Sequence, residues 1–307
     1  MADAAVCFWA ILSEDNETGT LRADMLPDFT AIQWLLAALA GVGIGVSKSG
    51  LPGISLLHVV IFAQLFPGLA STGVVLPMLI CGDIGAVLLF RRDARWSHVF
   101  RTLPPAVIGV AIGWFIMNWM RGGQLPALFS QPIFFDPGSI LLRQLFAWTQ
   151  AHPLPVTKFN PVIGGIVLTL ALLQLGRNWK PALFNRVPHT HAFAWTMGLV
   201  AGVTTMLANA AGPVMALYLL AVALPKEAFV GTAAWFFLLI NLIKVPFSVQ
   251  LGLINAPSLA FNALLIPGIV SGLFLGKLVV AKLPQKSFDT LVLLFAVVAA
   301  AKLLGVF

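Results

Sequence analysis

Three charged side chains, Lys48, Asp83 and Lys244, lie inside apolar stretches of this 307-residue sequence. A charge at the depth of a lipid bilayer is costly, so such residues usually serve a ligand, an ion or a partner charge. Lys48 belongs to GVGIGVSKSGLPG, residues 41–53, where glycines, serines and a proline interrupt an apolar run. A cation beside a broken helix favours anion binding, since the N-terminus of the following helix also attracts negative charge.

The break at residues 41–53 has a counterpart, GVTTMLANAAGPV, at residues 202–214, which places Asn209 at the position of Lys48. A new apolar run begins after each break. A helix N-terminus offers unpaired N–H groups and about half a positive charge, and glycine lets the backbone approach a small ligand closely. Two such N-termini that face each other would form a site for a small anion.

We therefore predict one anion-binding site built from both breaks. Its predicted substrate-binding residues are Ser47, Lys48, Ser49, Gly50, Gly53, Thr204, Thr205, Asn209 and Gly212. In the alternative interpretation, the glycines only serve helix packing, and Lys48 extends its ammonium group to water. The occurrence of the break at matching places in both halves, beside short helices, favours the functional interpretation.

Asp83, Lys244 and Asn241 are the predicted coupling or gating residues. Asp83 and Lys244 fall at nearly equivalent positions of the two halves, which suggests an ion pair or a gate inside the membrane. In the alternative interpretation, Lys244 extends its ammonium group to the membrane surface, and Asp83 pairs with Arg91 or Arg92. The sequence leaves both interpretations open.

The remaining polar residues predict neither a metal site nor a cofactor site. His58 and Gln64 are weaker candidates, since a lone histidine in an apolar run is more often a packing residue than a proton relay. The five histidines are dispersed, and the pair in H-T-H at 189–191 has no further ligand at useful spacing. The glycines of 41–46 lie in an apolar helix without a βαβ unit, and there is no Walker motif. We expect no metal, no cofactor and no direct use of ATP.

The composition is that of a membrane protein. Hydrophobic residues make up 59% of the chain and charged residues 9%, with a mean hydropathy of +0.95, whereas soluble domains carry about 25% charged residues. No sustained alternation of period two indicates a β-barrel, so the predicted class is all-α and polytopic. The net charge of +7 is explained by the positive-inside rule rather than by nucleic-acid binding.

Ten apolar segments follow one another along the chain. They span roughly 31–46, 54–66, 72–90, 100–120, 160–176, 193–208, 213–224, 229–250, 257–276 and 288–306. The second and seventh segments are shorter than the 20 or so residues that a spanning helix needs. Each follows one of the two breaks, which predicts two helical hairpins that turn inside the membrane, or short helices at steep tilt. Irregular backbone at that depth must be buried or line a polar cavity.

The order of these features repeats, so the chain is predicted to contain two inverted repeats, each a broken helical hairpin plus three transmembrane helices. Each half makes an odd number of crossings, as in many secondary transporters. The predicted regions are an acidic external tail at 1–29, a first membrane repeat at 30–176 with an external loop at 121–159, a cytoplasmic linker at 177–192, and a second repeat at 193–307.

Basic residues predict the orientation. The loops assigned to one side carry eleven lysines and arginines, and those on the other side carry four. The basic side is expected to face the cytoplasm, which places both termini outside. The first 29 residues hold six of the eleven acidic residues and show no signal-peptide pattern, in agreement with that placement.

Two stretches, SGLPGISLLHVVIFAQLFP and GLVAGVTTMLANAAGPVMALYLLAVALPKEAFVGTAAWFFLLINL, resemble the TauE/SafE sulfite-exporter family, in the 4-toluene sulfonate uptake permease superfamily. The resemblance covers about residues 31–305. Its most specific features are the G-P break, A-x-Y-L-L and F-V-G-T of the second half. It implies a transporter of sulfite, sulfonates, thiosulfate or related anions in the bacterial cytoplasmic membrane.

The leading hypothesis is export of a small sulfur-containing oxyanion, with sulfite first, by alternating access and without enzyme activity. The first alternative is uptake of an organosulfonate or thiosulfate coupled to protons through Asp83. A membrane enzyme is disfavoured because Cys81 and Asp83, two residues apart, do not face each other on a helix. An anion channel would need a continuous pore. The expected partners are a small anion and the lipid bilayer, not nucleic acid, with a homodimer as one option.

Overall fold

The fold is all-helical wherever the structure, a computed structural model, describes it. The described residues are 26–49, 54–66, 69–90, 92–121, 159–179, 190–222 and 224–280, together with positions 297 and 304. They contain nine helices and no strand: α1 Ala31–Lys48, α2 Ser55–Leu65, α3 Ala70–Phe90, α4 Trp96–Met120, α5 Phe159–Trp179, α6 His191–Ala208, α7 Gly212–Ala221, α8 Lys226–Gln250 and α9 Ala256–Val280.

The helices confirm the predicted class and nine of the ten predicted segments, each to within a few residues. Six of them, α1, α3, α4, α6, α8 and α9, are long and apolar enough to cross a membrane. The chain is therefore a multi-pass membrane protein. Apart from positions 297 and 304, the predicted segment 288–306 lies outside the described residues, as do most of the N-terminal tail, the external loop and the cytoplasmic linker.

The two helices that the sequence predicted to be short are short, each of them two residues shorter than its predicted segment. Helix α2 has 11 residues and α7 has 10, which correspond to about 15–17 Å at 1.5 Å per residue. Neither can cross a hydrocarbon core of about 30 Å alone. Helix α2 packs on α1, and α7 packs on α6. Each short helix therefore packs on its predecessor, and the turn inside the membrane stays a prediction.

Corresponding helices of the two halves begin in the same way. Thr30 caps α1, where its hydroxyl accepts from the N–H of Gln33 and its own N–H donates to the Gln33 side chain. Thr190 caps α6 by accepting from the N–H of Phe193 at 3.2 Å. A threonine at this position satisfies one of the N–H groups that a helix start leaves unpaired.

The most extensive helix contacts join α4 to α6, α1 to α9 and α3 to α8. If the halves are equivalent, α1 corresponds to α6, α3 to α8 and α4 to α9. Under this correspondence, the contact of α4 with α6 is equivalent to that of α9 with α1. The contact of α3 with α8 is equivalent to itself. This is the packing expected of two repeats around a pseudo-twofold axis. The inversion of the repeats, their boundaries and the external position of the termini stay predictions.

Glycine allows the closest of these contacts. A methyl group at Gly202 of α6 would overlap with the carbonyl oxygen of Ala106 in α4. A methyl group at Gly272 of α9 would likewise overlap with the carbonyl oxygen of Val42 in α1. Small residues that let two backbones approach are a common basis of helix association in membranes.

Candidate anion-binding site

The two breaks meet at one cavity. It lies between the last residues of α1 and α6, the first residues of α2 and α7, and one face of α8, with an empty volume of about 610 Å³ that includes its open side. Lys48 and Asn209 line it from the two helix ends, while Ser55 and Gly212 line it from the two helix starts. The sequence predicted that the two breaks would contribute to one site, because they occur at matching places in the two halves.

Lys48 and Asp83 form an ion pair in the wall of this cavity. The Lys48 ammonium nitrogen lies 2.5 Å from Asp83 Oδ1, and Asn241 Nδ2 donates to Asp83 Oδ2 at 2.7 Å. The Asp83 side chain is fully buried, and that of Lys48 is 11% exposed. The ammonium also lies over the ring of Phe237, 4.5 Å from its centroid. Lys48 therefore binds α1 to both α3 and α8.

Lys244 sits behind the other side of the cavity. Its ammonium donates to the Thr205 carbonyl oxygen at 2.7 Å, to Thr205 Oγ1 at 3.2 Å and to Asn209 Oδ1 at 2.6 Å. Asn209 has a left-handed backbone with φ of 51° after the end of α6, and its Nδ2 donates to the Thr72 carbonyl oxygen at 2.9 Å. Lys244 thus stabilises the second break through neutral acceptors.

The two networks occupy equivalent positions of the two halves. Asp83 follows Lys48 by 35 residues, and Lys244 follows Asn209 by the same number. In both halves, a side chain from the third helix of the half reaches the end of its first helix. The position of the lysine differs between the halves. It lies at the break in the first half, as Lys48, and on the long helix in the second, as Lys244.

These features agree with the comparison to known proteins. A model of the sulfite exporter TauE/SafE family matches residues 36–303, nearly the whole chain. The chain belongs to the TauE/SafE sulfite exporter family. Neither curated proteins nor solved structures provide a match. The family match covers both breaks and all nine described helices except the first five residues of α1.

In this TauE/SafE protein, the predicted direct pair of Asp83 with Lys244 and the predicted surface position of Lys244 are wrong. A gating role stays a prediction, and Arg91, one of the two alternative partners of Asp83, lies outside the described residues. The two residues do not pair directly, because Asp83 contacts Lys48 and Asn241 while Lys244 contacts Thr205 and Asn209. Lys244 does not extend to the membrane surface either, since its side chain is only 2% exposed. The sequence spacing identified Asp83 and Lys244 as equivalent positions of the two halves. Equivalent residues of two repeats do not have to contact each other.

The structure places most of the predicted anion-binding residues together. Those that line the cavity are Ser47, Lys48, Thr205, Asn209 and Gly212, together with the predicted gating residue Asn241. Ser49 and Thr204 do not line it. Each of their hydroxyls donates to a carbonyl of its own helix, at Val46 and Val200 respectively. Gly50 and Gly53 lie outside the described residues.

Sequence reasoning named His58 only as a weaker candidate, and it missed Ser55 and the apolar wall. His58 and Ser55 line the cavity from α2. His58 is 1% exposed, and neither ring nitrogen has a hydrogen-bond partner in the described part of the chain. The apolar wall comes mainly from α8 and consists of Leu79, Phe229, Val230, Ala233, Ala234 and Phe237. The position of His58 one turn after the start of a short helix was the available signal. Gln64, on the same helix, is exposed.

Proposed function

We propose that this protein is a secondary transporter that exports a small sulfur-containing oxyanion, sulfite first, by alternating access around the cavity. The observation that supports this proposal most strongly is the excess of positive charge at the cavity. Lys48 and Lys244 lie at or directly behind the cavity wall, and Asp83 is the only carboxylate paired with either among the described residues. Buried charges are normally paired, so this excess favours an anion as the missing partner.

The architecture also supports movement without ATP. The first residues of α2 and α7 both border the cavity, and short helices that end at membrane depth are typical of transporter binding sites. A membrane potential that is negative inside favours outward movement of an anion by about 2.3 kcal/mol per charge per 100 mV. In the proposed cycle, one half rocks against the other while the anion stays between the breaks.

The first test is sulfite efflux from liposomes that contain the purified protein, with and without an imposed potential. We expect the flux to rise with a potential that is negative inside. Lys48→Ala is expected to reduce the flux at least tenfold, since it removes a charge at the cavity wall. Lys277→Ala removes an exposed lysine of α9 and is expected to retain the flux. Absence of both sulfite flux and sulfite binding in the wild type would contradict the proposal.

Proton-coupled uptake of an organosulfonate is a second candidate. The apolar wall favours it, because Leu79, Phe229 and Phe237 would contact an organic group better than a sulfite oxygen. Here Asp83 would exchange a proton during each cycle. Flux that follows an imposed pH gradient in the wild type, and loses this dependence in Asp83→Asn, would distinguish this candidate from uniport. We propose no catalytic role for Asp83, whose two oxygens face Lys48 and Asn241.

Replacement of His58 by leucine is expected to increase stability and weaken anion binding. A buried imidazole without partners is unfavourable in the empty protein, so its removal should raise the free energy of unfolding by about 1–2 kcal/mol. The same change removes an N–H donor from the polar wall, and sulfite binding should weaken about tenfold. Thermal unfolding with and without sulfite measures both effects.

The control for this prediction is His191→Leu, which changes an exposed histidine at the start of α6. It is expected to leave sulfite-dependent stabilisation unchanged. A His58→Leu protein that is less stable than the wild type, yet binds sulfite equally well, would show that His58 serves packing instead of the ligand.

A further inference from the structure

We infer that the cavity is balanced for a single negative charge, so that it selects monoanions over dianions, and that Asp83 sets this preference. The inference rests on the proposed function, because it specifies the charge of the transported anion. It depends on the ionisation of Lys48, Lys244 and Asp83, the three charged groups that the described residues place at the cavity.

The surroundings of Lys244 fit an ammonium group. Three acceptor atoms surround its nitrogen, namely the Thr205 carbonyl oxygen, Thr205 Oγ1 and Asn209 Oδ1. An ammonium has three N–H donors and no acceptor, so each donor finds one of these atoms. The orientation of Asn209 is fixed by its Nδ2, which donates to the Thr72 carbonyl oxygen. Its Oδ1 therefore faces Lys244, and Lys244 contributes one positive charge.

The surroundings of Asp83 fit a carboxylate. Oδ1 faces the Lys48 ammonium, and Oδ2 accepts from Asn241 Nδ2. Both oxygens thus meet donors, which leaves no acceptor for a carboxyl proton. The charges of Asp83 and Lys48 cancel each other.

His58 adds no charge to this sum. His58 is 1% exposed, and neither ring nitrogen has a hydrogen-bond partner among the residues that the structure describes. A buried imidazolium without a partner would be strongly unfavourable, and the nearby Lys48 would oppose it. The described residues therefore give the cavity a charge of +1, which comes from Lys244.

One bound negative charge neutralises this cavity, while a second would remain uncompensated in a low-dielectric environment. Coulombic interactions are several times stronger there than in water, so the unpaired charge of a dianion is penalised. A protonated oxyanion or a sulfonate fits this balance, whereas sulfate or thiosulfate does not. Asp83 determines the result, because without it the cavity would carry +2.

Binding of methanesulfonate and of sulfate tests the inference, since they have similar size and differ by one charge. Their affinities are measured by calorimetry on the purified full-length protein at one fixed pH and ionic strength. We expect the wild type to prefer methanesulfonate at least tenfold. Asp83→Asn should shift this ratio at least tenfold toward sulfate. The double variant Lys48→Gln/Asp83→Asn keeps the charge at +1 and should return the ratio toward that of the wild type.

Asp93→Asn is the matched control, because it removes an exposed carboxylate from the turn after α3. It should leave the ratio unchanged. If Asp83→Asn does not fold, the wild type and the double variant decide, since both must prefer the monoanion. Equal binding of the two anions by the wild type, or a ratio that does not change in Asp83→Asn, would overturn the inference and leave anion transport intact. If the wild type binds neither methanesulfonate, sulfate nor sulfite, the proposed function fails as well.

Discussion

Replacement of Lys244 by glutamine is expected to abolish most anion transport while the protein still folds. The substitution keeps a polar side chain with an N–H donor, but it removes a positive charge that no carboxylate of the described residues pairs with. A unit charge about 5–6 Å from a bound anion contributes about 3 kcal/mol at an effective dielectric constant near 20. Affinity for sulfite or methanesulfonate should therefore fall about 100-fold.

Lys244 is an informative position because it does not line the cavity. A simple contact model would assign the effect to Lys48 and predict little change at Lys244. Here the effect arises from charge at short range and from Asn209, whose Oδ1 accepts from the Lys244 ammonium. Loss of that bond also loosens the second break, since Asn209 connects α6 to Thr72 of α3.

The measurement is sulfite flux in liposomes, combined with calorimetry on the same preparation. Lys277→Gln provides the control, because it removes an exposed lysine by the same chemical change. Helical content and a single size-exclusion peak report on folding separately from transport. A folded Lys244→Gln protein that transports sulfite at the rate of the wild type would show that the buried ammonium is only structural.

The fold was predictable to a large extent because membrane insertion imposes strong rules on the sequence. The long apolar segments predicted helices to within a few residues, and Trp96–Met120 and Gly212–Ala221 illustrate a full and a short case. Every backbone polar group in hydrocarbon needs an internal partner, so a break such as that at Asn209 must be covered by other helices. This requirement predicted that both breaks would meet at one place.

The partners within the site were not predictable in the same way. Which side of α8 faces the cavity depends on helix rotation, which packing sets and an almost uniformly apolar sequence does not record. The sequence therefore identified Asp83 and Lys244 as exceptional but not their partners. Likewise, the hydroxyls of Ser49 and Thr204 donate to their own helices, a local bond that competes with ligand binding for any serine or threonine in a helix.

Gly202→Ala is expected to destabilise the folded protein, even though alanine is the better helix former. In an unconstrained helix this change would stabilise by about 1 kcal/mol. At Gly202, the added methyl group would overlap with the carbonyl oxygen of Ala106, which belongs to the backbone of α4 and cannot rotate away. The helices α4 and α6 form the most extensive contact among the described helices. Their separation should cost at least the 1–3 kcal/mol or so that is typical of overpacking.

Gly165→Ala is the matched control, because the same methyl group at Gly165 of α5 meets no described residue within 4 Å. It should leave the melting temperature unchanged or raise it, whereas Gly202→Ala should lower it by several degrees and reduce the yield of monodisperse protein.

Gly272→Ala adds a test of the repeat, since its methyl group would overlap with the Val42 carbonyl oxygen in the equivalent contact of α9 with α1. Similar losses at Gly202 and Gly272 would support two equivalent halves, each held to the other by one close helix pair. A stable Gly202→Ala protein would instead mean that α4 and α6 can move apart at little cost in free energy. A contact this loose could not transmit a rocking motion to the breaks that border the cavity.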